Sequence, residues 1–127
     1  MDEQQHHEQL IKGVTGLLKP ILDKSQQAVY VYLDDTHKAC NRKLATLLGY
    51  KSAKEWADTD APLADVVEED QPAVIEAYGQ ASEKLGASSL DVRFKNVTTD
   101  KIVKARMIVV PITYEGHVFA LHFLSKV

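Results

Sequence analysis

Leu10, Val14, Leu17, Leu18 and Ile21 recur at i, i+4, i+7, i+8 and i+11, the spacing of one helix face, and predict a helix over residues 4–24. Gly13 and Gly16 weaken that helix, and Pro20, which lacks an N–H, is expected to kink it. The stripe must bury against something: the body of its own domain, or a second copy. The five residues are therefore also the candidates for a dimer seam, although the stripe is too short to commit to a coiled coil.

A different period follows. Residues 28–34, AVYVYLD, are β-branched and aromatic and read as a strand. Asp34-Asp35-Thr36 forms a turn, since short polar side chains bond their own backbone there, and residues 37–40, HKAC, return as a second strand of a tight hairpin. Asn41 fits a helix N-cap. The helix RKLATLL follows and stops at Gly49, which tolerates the left-handed conformation of a helix end. Residues 52–58 form another short helix, with Ser52 as cap and Glu55 three residues on as a capping box. Trp56, the only tryptophan, is expected to pack inward. Asp70 is expected to cap a longer helix with Pro72 in its first turn. That helix runs to about Leu85, ends at Gly86, and buries Val74, Ile75, Tyr78, Ala81 and Leu85.

Three strands complete the chain. In SSLDVRFKNVT, Leu90, Val92 and Phe94 alternate with Asp91, Arg93 and Lys95. IVKARMIVVPITY and VFALHFLSKV are apolar on both faces, whereas an antiparallel sheet with one wet face alternates cleanly. Each face therefore needs cover: the central helices for one, the N-terminal helix or a second subunit for the other. Helix, two strands, several helices and three strands make an α+β fold with a five-stranded antiparallel sheet. The chain divides into an N-terminal amphipathic helix, 1–24, and a domain, 25–127.

Composition narrows the function. The 127 residues suit one domain, and a net charge of −3 gives no basic field for direct nucleic-acid binding. One cysteine makes no internal disulfide, which fits a reducing cytoplasm. No apolar run approaches the ~20 residues of a membrane span, and the polar, acidic start is unlike a signal peptide. His6 and His7 read as solvated residues on a polar end. The His, Cys, Asp and Glu residues show no metal-binding spacing, and no glycine-rich phosphate loop is present.

Residues 25–127 resemble the PAS domain, a small sensory fold. AVYVYLDDTHKACN looks like that family's opening hairpin closing on an asparagine, RKLATLLGY like its first short helix, and DVVEEDQPAVIEA like its acidic turn leading into the long helix. The last three strands match in length and in their two tight turns. The resemblance implies a curved sheet and helices enclosing a pocket that family members use for haem, flavin, chromophores or small metabolites, or leave unused. It also implies that the first helix is the amphipathic segment that often precedes this fold and helps pair subunits.

The cofactor is left open, and no haem or flavin motif is evident. The flavin-binding branch carries its reactive cysteine in a different residue order from Cys40-Asn41-Arg42, and burial as a small thiol is expected for Cys40. The haem branch needs a histidine on the long helix, which has Tyr78 instead. Candidate pocket-lining residues are Tyr30, Tyr32, Ile75, Tyr78, Leu90, Val92, Phe94, Met107, Phe119 and Leu121, though the same side chains would also serve as solid core. Such a pocket suits a small apolar ligand. No catalytic residue and no metal ligand is assigned. The expected function is a non-catalytic, cytoplasmic signal-transduction module that dimerises through the N-terminal helix and sheet face and meets a signalling protein partner. The alternative is a small cone-shaped isomerase or dehydratase, which would need an acid/base pair among His122, Tyr78 and Asp91. A strongly shifted histidine in a deep cleft would favour it, while Asp91 is expected to face outward.

Overall fold

In a computed structural model describing residues 2–127, β1 (Ala28–Asp34) and β2 (His37–Cys40) form a hairpin. It joins β3 (Ser88–Lys95), β4 (Ile102–Tyr114) and β5 (His117–Lys126) in one antiparallel sheet of order β2-β1-β5-β4-β3. The two expected groups of strands thus meet through β1 and β5. Register fixes which side chains share a face, because residues directly opposite one another point the same way. Tyr30 lies opposite His122, which lies opposite Val109, on the inner face; Val31, Leu121 and Val110 share the outer one.

Each face has its own cover. On the inner face, α2 (Arg42–Leu48), α3 (Ala53–Ala57) and α4 (Gln71–Lys84) enclose a core that includes Leu44, Trp56, Val92, Phe94, Met107 and Leu124. On the outer face, α1 (Glu3–Lys24) lays Leu10 and Val14 over Val29, Val31, Phe119 and Leu121. The double apolar pattern of β5 is the sequence's record of this two-sided burial.

Local chemistry explains the element ends. Asp2 and Gln5 form a capping box that starts α1. The helix runs through Pro20 without a break and ends at Ser25. Gly13 admits the Tyr114 ring, which a Cβ there would strike. Asn41 Oδ1 accepts from Leu44 N at 3.0 Å as the expected N-cap, and Gly49 ends α2 at φ 89°.

The structure corrects four expectations. Ser52 caps α3, but the Glu55 carboxylate accepts from Lys51 N rather than closing a box on Ser52. Asp70 stands at the N-cap of α4, yet its carboxylate turns to Arg93, accepting from the backbone N at 2.8 Å, Nε at 3.0 Å and Nη2 at 2.9 Å. The phase of α4 also differs. Ala77 and Ala81 are its buried residues, while Ile75 and Leu85 are 56% and 60% exposed. The small alanines let the helix lie close to the sheet and push the bulky residues to its flanks. Leu85 itself, rather than Gly86, takes the left-handed turn, at φ 54°.

Candidate functional site: an aromatic cavity under the long helix

A cavity of about 260 Å³ opens between the inner sheet face, α3, α4 and the 3-10 turn Pro62–Asp65. Its floor comes from Tyr30 and Tyr32 of β1, Phe94 of β3 and His122 of β5; its walls from Leu48, Trp56, Leu63, Val66, Val74, Ile75 and Tyr78; Asp35 marks its polar edge. Two links fix the turn that closes it. Val66 bridges to Phe94, and Gln71 Nε2 donates to the carbonyls of Leu63 and Val66 at 3.2 and 3.1 Å. The volume lies below the roughly 300–1,000 Å³ of drug-sized sites and above the about 150 Å³ cavity that takes up benzene.

The floor is built from stacked rings. Tyr30 lies flat on His122, centroids 3.8 Å apart and planes 9° apart, and its ring approaches Trp56 at 5.1 Å. Tyr32 meets Tyr78 edge-on at 5.1 Å. Tyr78 Oη donates to the Leu33 carbonyl at 3.2 Å, and Tyr32 Oη donates to the Asp35 carboxylate. Burial holds the His122 pKa down to about 3, although the carbonyls of Ala120 and Tyr30 pull the other way. The imidazole is therefore neutral across the physiological range. Burial raises the pKa of Tyr30, and burial followed by the Asp35 hydrogen bond raises that of Tyr32, so both remain phenols.

The candidates from the sequence divide. Tyr30, Tyr32, Ile75, Tyr78 and Phe94 line the cavity. Leu90, Val92 and Met107 lie on the same sheet face but pack in the core rather than on the cavity wall. Phe119 and Leu121 are corrected to the opposite face, beneath α1. His122 and Leu121, adjacent on β5, point to opposite faces, and the Tyr30↔His122 pairing puts His122 inward and Leu121 outward. Asp35, Leu48, Trp56, Pro62, Leu63, Val66 and Val74 line the cavity without standing among the expected lining residues, and His122, expected only as an acid/base candidate, joins them. Of the seam candidates, Leu10 and Val14 are buried within the chain, Leu18 packs beside them, and Leu17 and Ile21 are exposed.

Among the described residues, neither an axial imidazole on α4 nor a cavity-facing thiol is in place. The α4 residues facing the cavity are Val74, Ile75 and Tyr78, with no imidazole among them. Cys40 lies outside its lining, donates its thiol to the Ala53 carbonyl at 3.8 Å, and is pushed up to about 12 by burial. Lys38, also buried, places its Nζ 5.2 Å from the Trp56 ring and donates to the carbonyls of Asp35, Ala57 and Thr59, which holds the loop after α3 against β2. Burial lowers its pKa, with Asp35 the main opposing charge.

A second group assembles at the far end of the outer face. His7 Nδ1 lies 2.9 Å from Asp34 Oδ2, and His37 Nδ1 lies 2.6 Å from Asp34 Oδ1. His6 and His117 meet beside them through their Nε2 atoms at 3.3 Å. The histidines read as solvated are in contact with the body of the domain. Nothing in their sequence spacing signals it, because the partners lie about thirty residues or more away in the chain.

Neither protein-family models nor curated proteins give a match to the sequence. Solved structures do match. The PAS domain of a protein from Colwellia psychrerythraea aligns with a TM-score of 0.68 and 20% identity over 90% of this chain and 97% of that one. The PAS domain of nitrogen regulation protein NR(II) from Vibrio parahaemolyticus aligns with 0.64 and 18%, over 87% and 98%. That of an HTR-like protein from Haloarcula marismortui aligns with 0.66 and 12%, over 97% and 99%. The chain has the PAS fold, a five-stranded antiparallel sheet in an α+β arrangement.

Proposed function

We propose that the chain is a non-catalytic sensory module that takes a small, largely apolar aromatic ligand into the cavity beneath α4 and passes its presence to a protein partner. The observation that carries this reading is the aromatic floor of Tyr30, Tyr32 and His122 with Asp35 at the edge. Flat rings offer stacking surfaces, and the Asp35–Tyr32 pair offers one polar handle for a ligand N–H or O–H. A neutral imidazole on the floor adds no charge to repel an apolar guest.

Catalysis is disfavoured by the same geometry. The shifted histidine that would favour an enzyme is present at His122, but burial shifts it downward, and a base with a pKa near 3 accepts a proton poorly at neutral pH. Asp91 lies outside the cavity, ion-paired with Arg106 Nε at 2.6 Å. The partners are proposed to be a second copy and a signalling protein, with the exposed Leu17 and Ile21 of α1 at the seam. Among the described residues no helix is long and apolar enough to cross a membrane, and a cytoplasmic site of action is part of the proposal.

Trp56, the only tryptophan, reports on the cavity directly. Titration with indole, phenol and a short fatty acid should change its emission saturably for at least one of them, with a Kd in roughly the micromolar range. Val74→Phe, which fills the cavity, should weaken that binding at least about tenfold, about 1.4 kcal/mol. Unchanged emission and melting temperature with all three probes, together with a bare chain mass in native mass spectrometry from the source cell, would reject the ligand.

A further inference from the structure

We propose that His7, Asp34 and His37 form a binding site for one divalent transition-metal ion of the zinc class, pinning the first turn of α1 to the β1–β2 hairpin. This goes beyond the sensory reading and does not rest on the aromatic cavity.

Three separated segments meet here. Asp34 ends β1 and His37 begins β2, and a register shift between Tyr32 and Asp34 brings the two directly opposite. His7 arrives on α1 one turn before Leu10, whose burial against Val29 and Phe119 anchors the helix. One ligand atom from each residue lies within 4.8 Å of the others. Two donors at about 2.0–2.1 Å from one tetrahedral zinc stand roughly 3.3 Å apart. The two histidines now contact different oxygens of Asp34, at 2.6 Å on Oδ1 and 2.9 Å on Oδ2, so an ion between them requires each contact to open and the carboxylate to turn one or both oxygens towards it. Two imidazoles and a carboxylate suit zinc and its neighbours rather than calcium or magnesium, which prefer all-oxygen sites.

His37 is only 3% exposed, with Nδ1 held by Asp34; the other ring nitrogen, Nε2, has no hydrogen-bond partner among the described residues and stays free to carry the proton when Nδ1 binds an ion. Without metal, the two Nδ1–H groups donate to the two oxygens of Asp34. An ion would take the place of the proton at each Nδ1: a neutral imidazole then carries its proton on Nε2, and a protonated one releases a single proton to solvent, so both bind in neutral form. Glu3 sits 3.8 Å from His7 Nε2 and adds negative charge nearby. His6 and His117 act as a positioning brace: their contact holds the start of α1 against the β4–β5 turn, and neither is assigned as a ligand.

The test uses the full chain without an affinity tag, stripped with a chelator and titrated with Zn²⁺ in competition with a chromophoric indicator. One ion per chain is expected, with a rise in melting temperature that grows with free zinc, and Co²⁺ should give the visible bands of a low-coordinate nitrogen/oxygen site. His7→Ala and Asp34→Asn should each weaken zinc binding at least tenfold. His6→Ala should weaken it less and leave the stoichiometry at one. His37→Ala is a further probe where it folds; the half-buried His7 keeps the test decisive where it does not. No binding below about 100 µM zinc, binding unaffected by His7→Ala and Asp34→Asn, or loss on removing His6 and His117 alone would each overturn the assignment.

Discussion

The two faces of the sheet are built from the same strands and packed in opposite ways. On the outer face, Val29, Val31 and Phe119 are fully buried beneath Leu10 and Val14. On the inner face, the intervening residues of those strands are Tyr30, Tyr32, Ala120 and His122, and three of them surround a void. Branched aliphatic chains and a phenylalanine interdigitate to the density of a solid core. Planar rings stacked on one another, with alanines between them and Ala77 and Ala81 above, leave space instead. The alternation within AVYVYLD therefore separates a solidly packed face from one that lines the cavity, one residue apart along the chain.

Truncation should expose that difference most strongly. Phe119→Ala is expected to cost about 3–5 kcal/mol, the range for emptying a packed aromatic site, measured by urea denaturation. Tyr78→Ala, at the half-buried cavity wall, should cost clearly less, since its ring already borders open space. Equal costs would mean that the inner face is as tightly packed as the outer one.

Asn41 comes next, because it serves both faces. Its Oδ1 accepts from Leu44 N and from Val29 N, each at 3.0 Å, and its Nδ2 donates to the Gln27 carbonyl at 2.9 Å. The cap alone is worth about 1 kcal/mol; leaving the buried Val29 N–H without its acceptor adds roughly 1–3 kcal/mol. Asn41→Ala should therefore lower stability by about 2–4 kcal/mol. A loss near 1 kcal/mol would show that water replaces the side chain at Val29.

His122 sharpens the comparison through pH. Its folded pKa, about 3, lies below the unfolded value near 6.5. Between these values the unfolded chain binds a proton that the folded chain refuses, so stability falls as pH is lowered through that window. The slope approaches roughly 1.4 kcal/mol per pH unit, or about 2 kcal/mol between pH 6.5 and 5. That range lies above ordinary carboxylate titration. Thermal unfolding of the native chain and of His122→Phe should diverge over it, with the variant flatter. Parallel curves would place His122 in contact with water.

Much of this was legible in the sequence. Period-2 stretches, the N-cap at Asn41 and the helix end at Gly49 are local signals, and they marked the hairpin, the short helices and the sheet. The doubled apolar pattern of the last two strands showed that both faces need cover. What escaped was information carried by register and helix phase. Tyr30 pairs with His122 only once the hairpin docks on β5, which moved Phe119 and Leu121 away from the cavity. Asp70 looked like a cap because nothing local shows that Arg93 lies across from it. His7 gave no signal because its partners are supplied by the hairpin on which α1 comes to rest.

The smallest expected change in stability probes where the cover of the outer face ends. Ile108 is 41% exposed, next to Phe123 in the register, at the border between the part of the sheet under α1 and a polar part carrying Asp91 and Arg106. Exposed substitutions outside special sites usually change stability by less than about 0.5 kcal/mol, and Ile108→Lys should do so in urea denaturation at low protein concentration. Its effect on assembly should be larger. If a second copy shields this border together with Leu17 and Ile21, placing an ammonium there forces its desolvation at the seam. Sedimentation at about tens of micromolar chain, a range that resolves weak dimers, should then show the native chain paired and the variant shifted towards monomer. A native chain that is monomeric in that range would leave the outer face with α1 as its only cover, and an equally paired variant would move the seam away from Ile108.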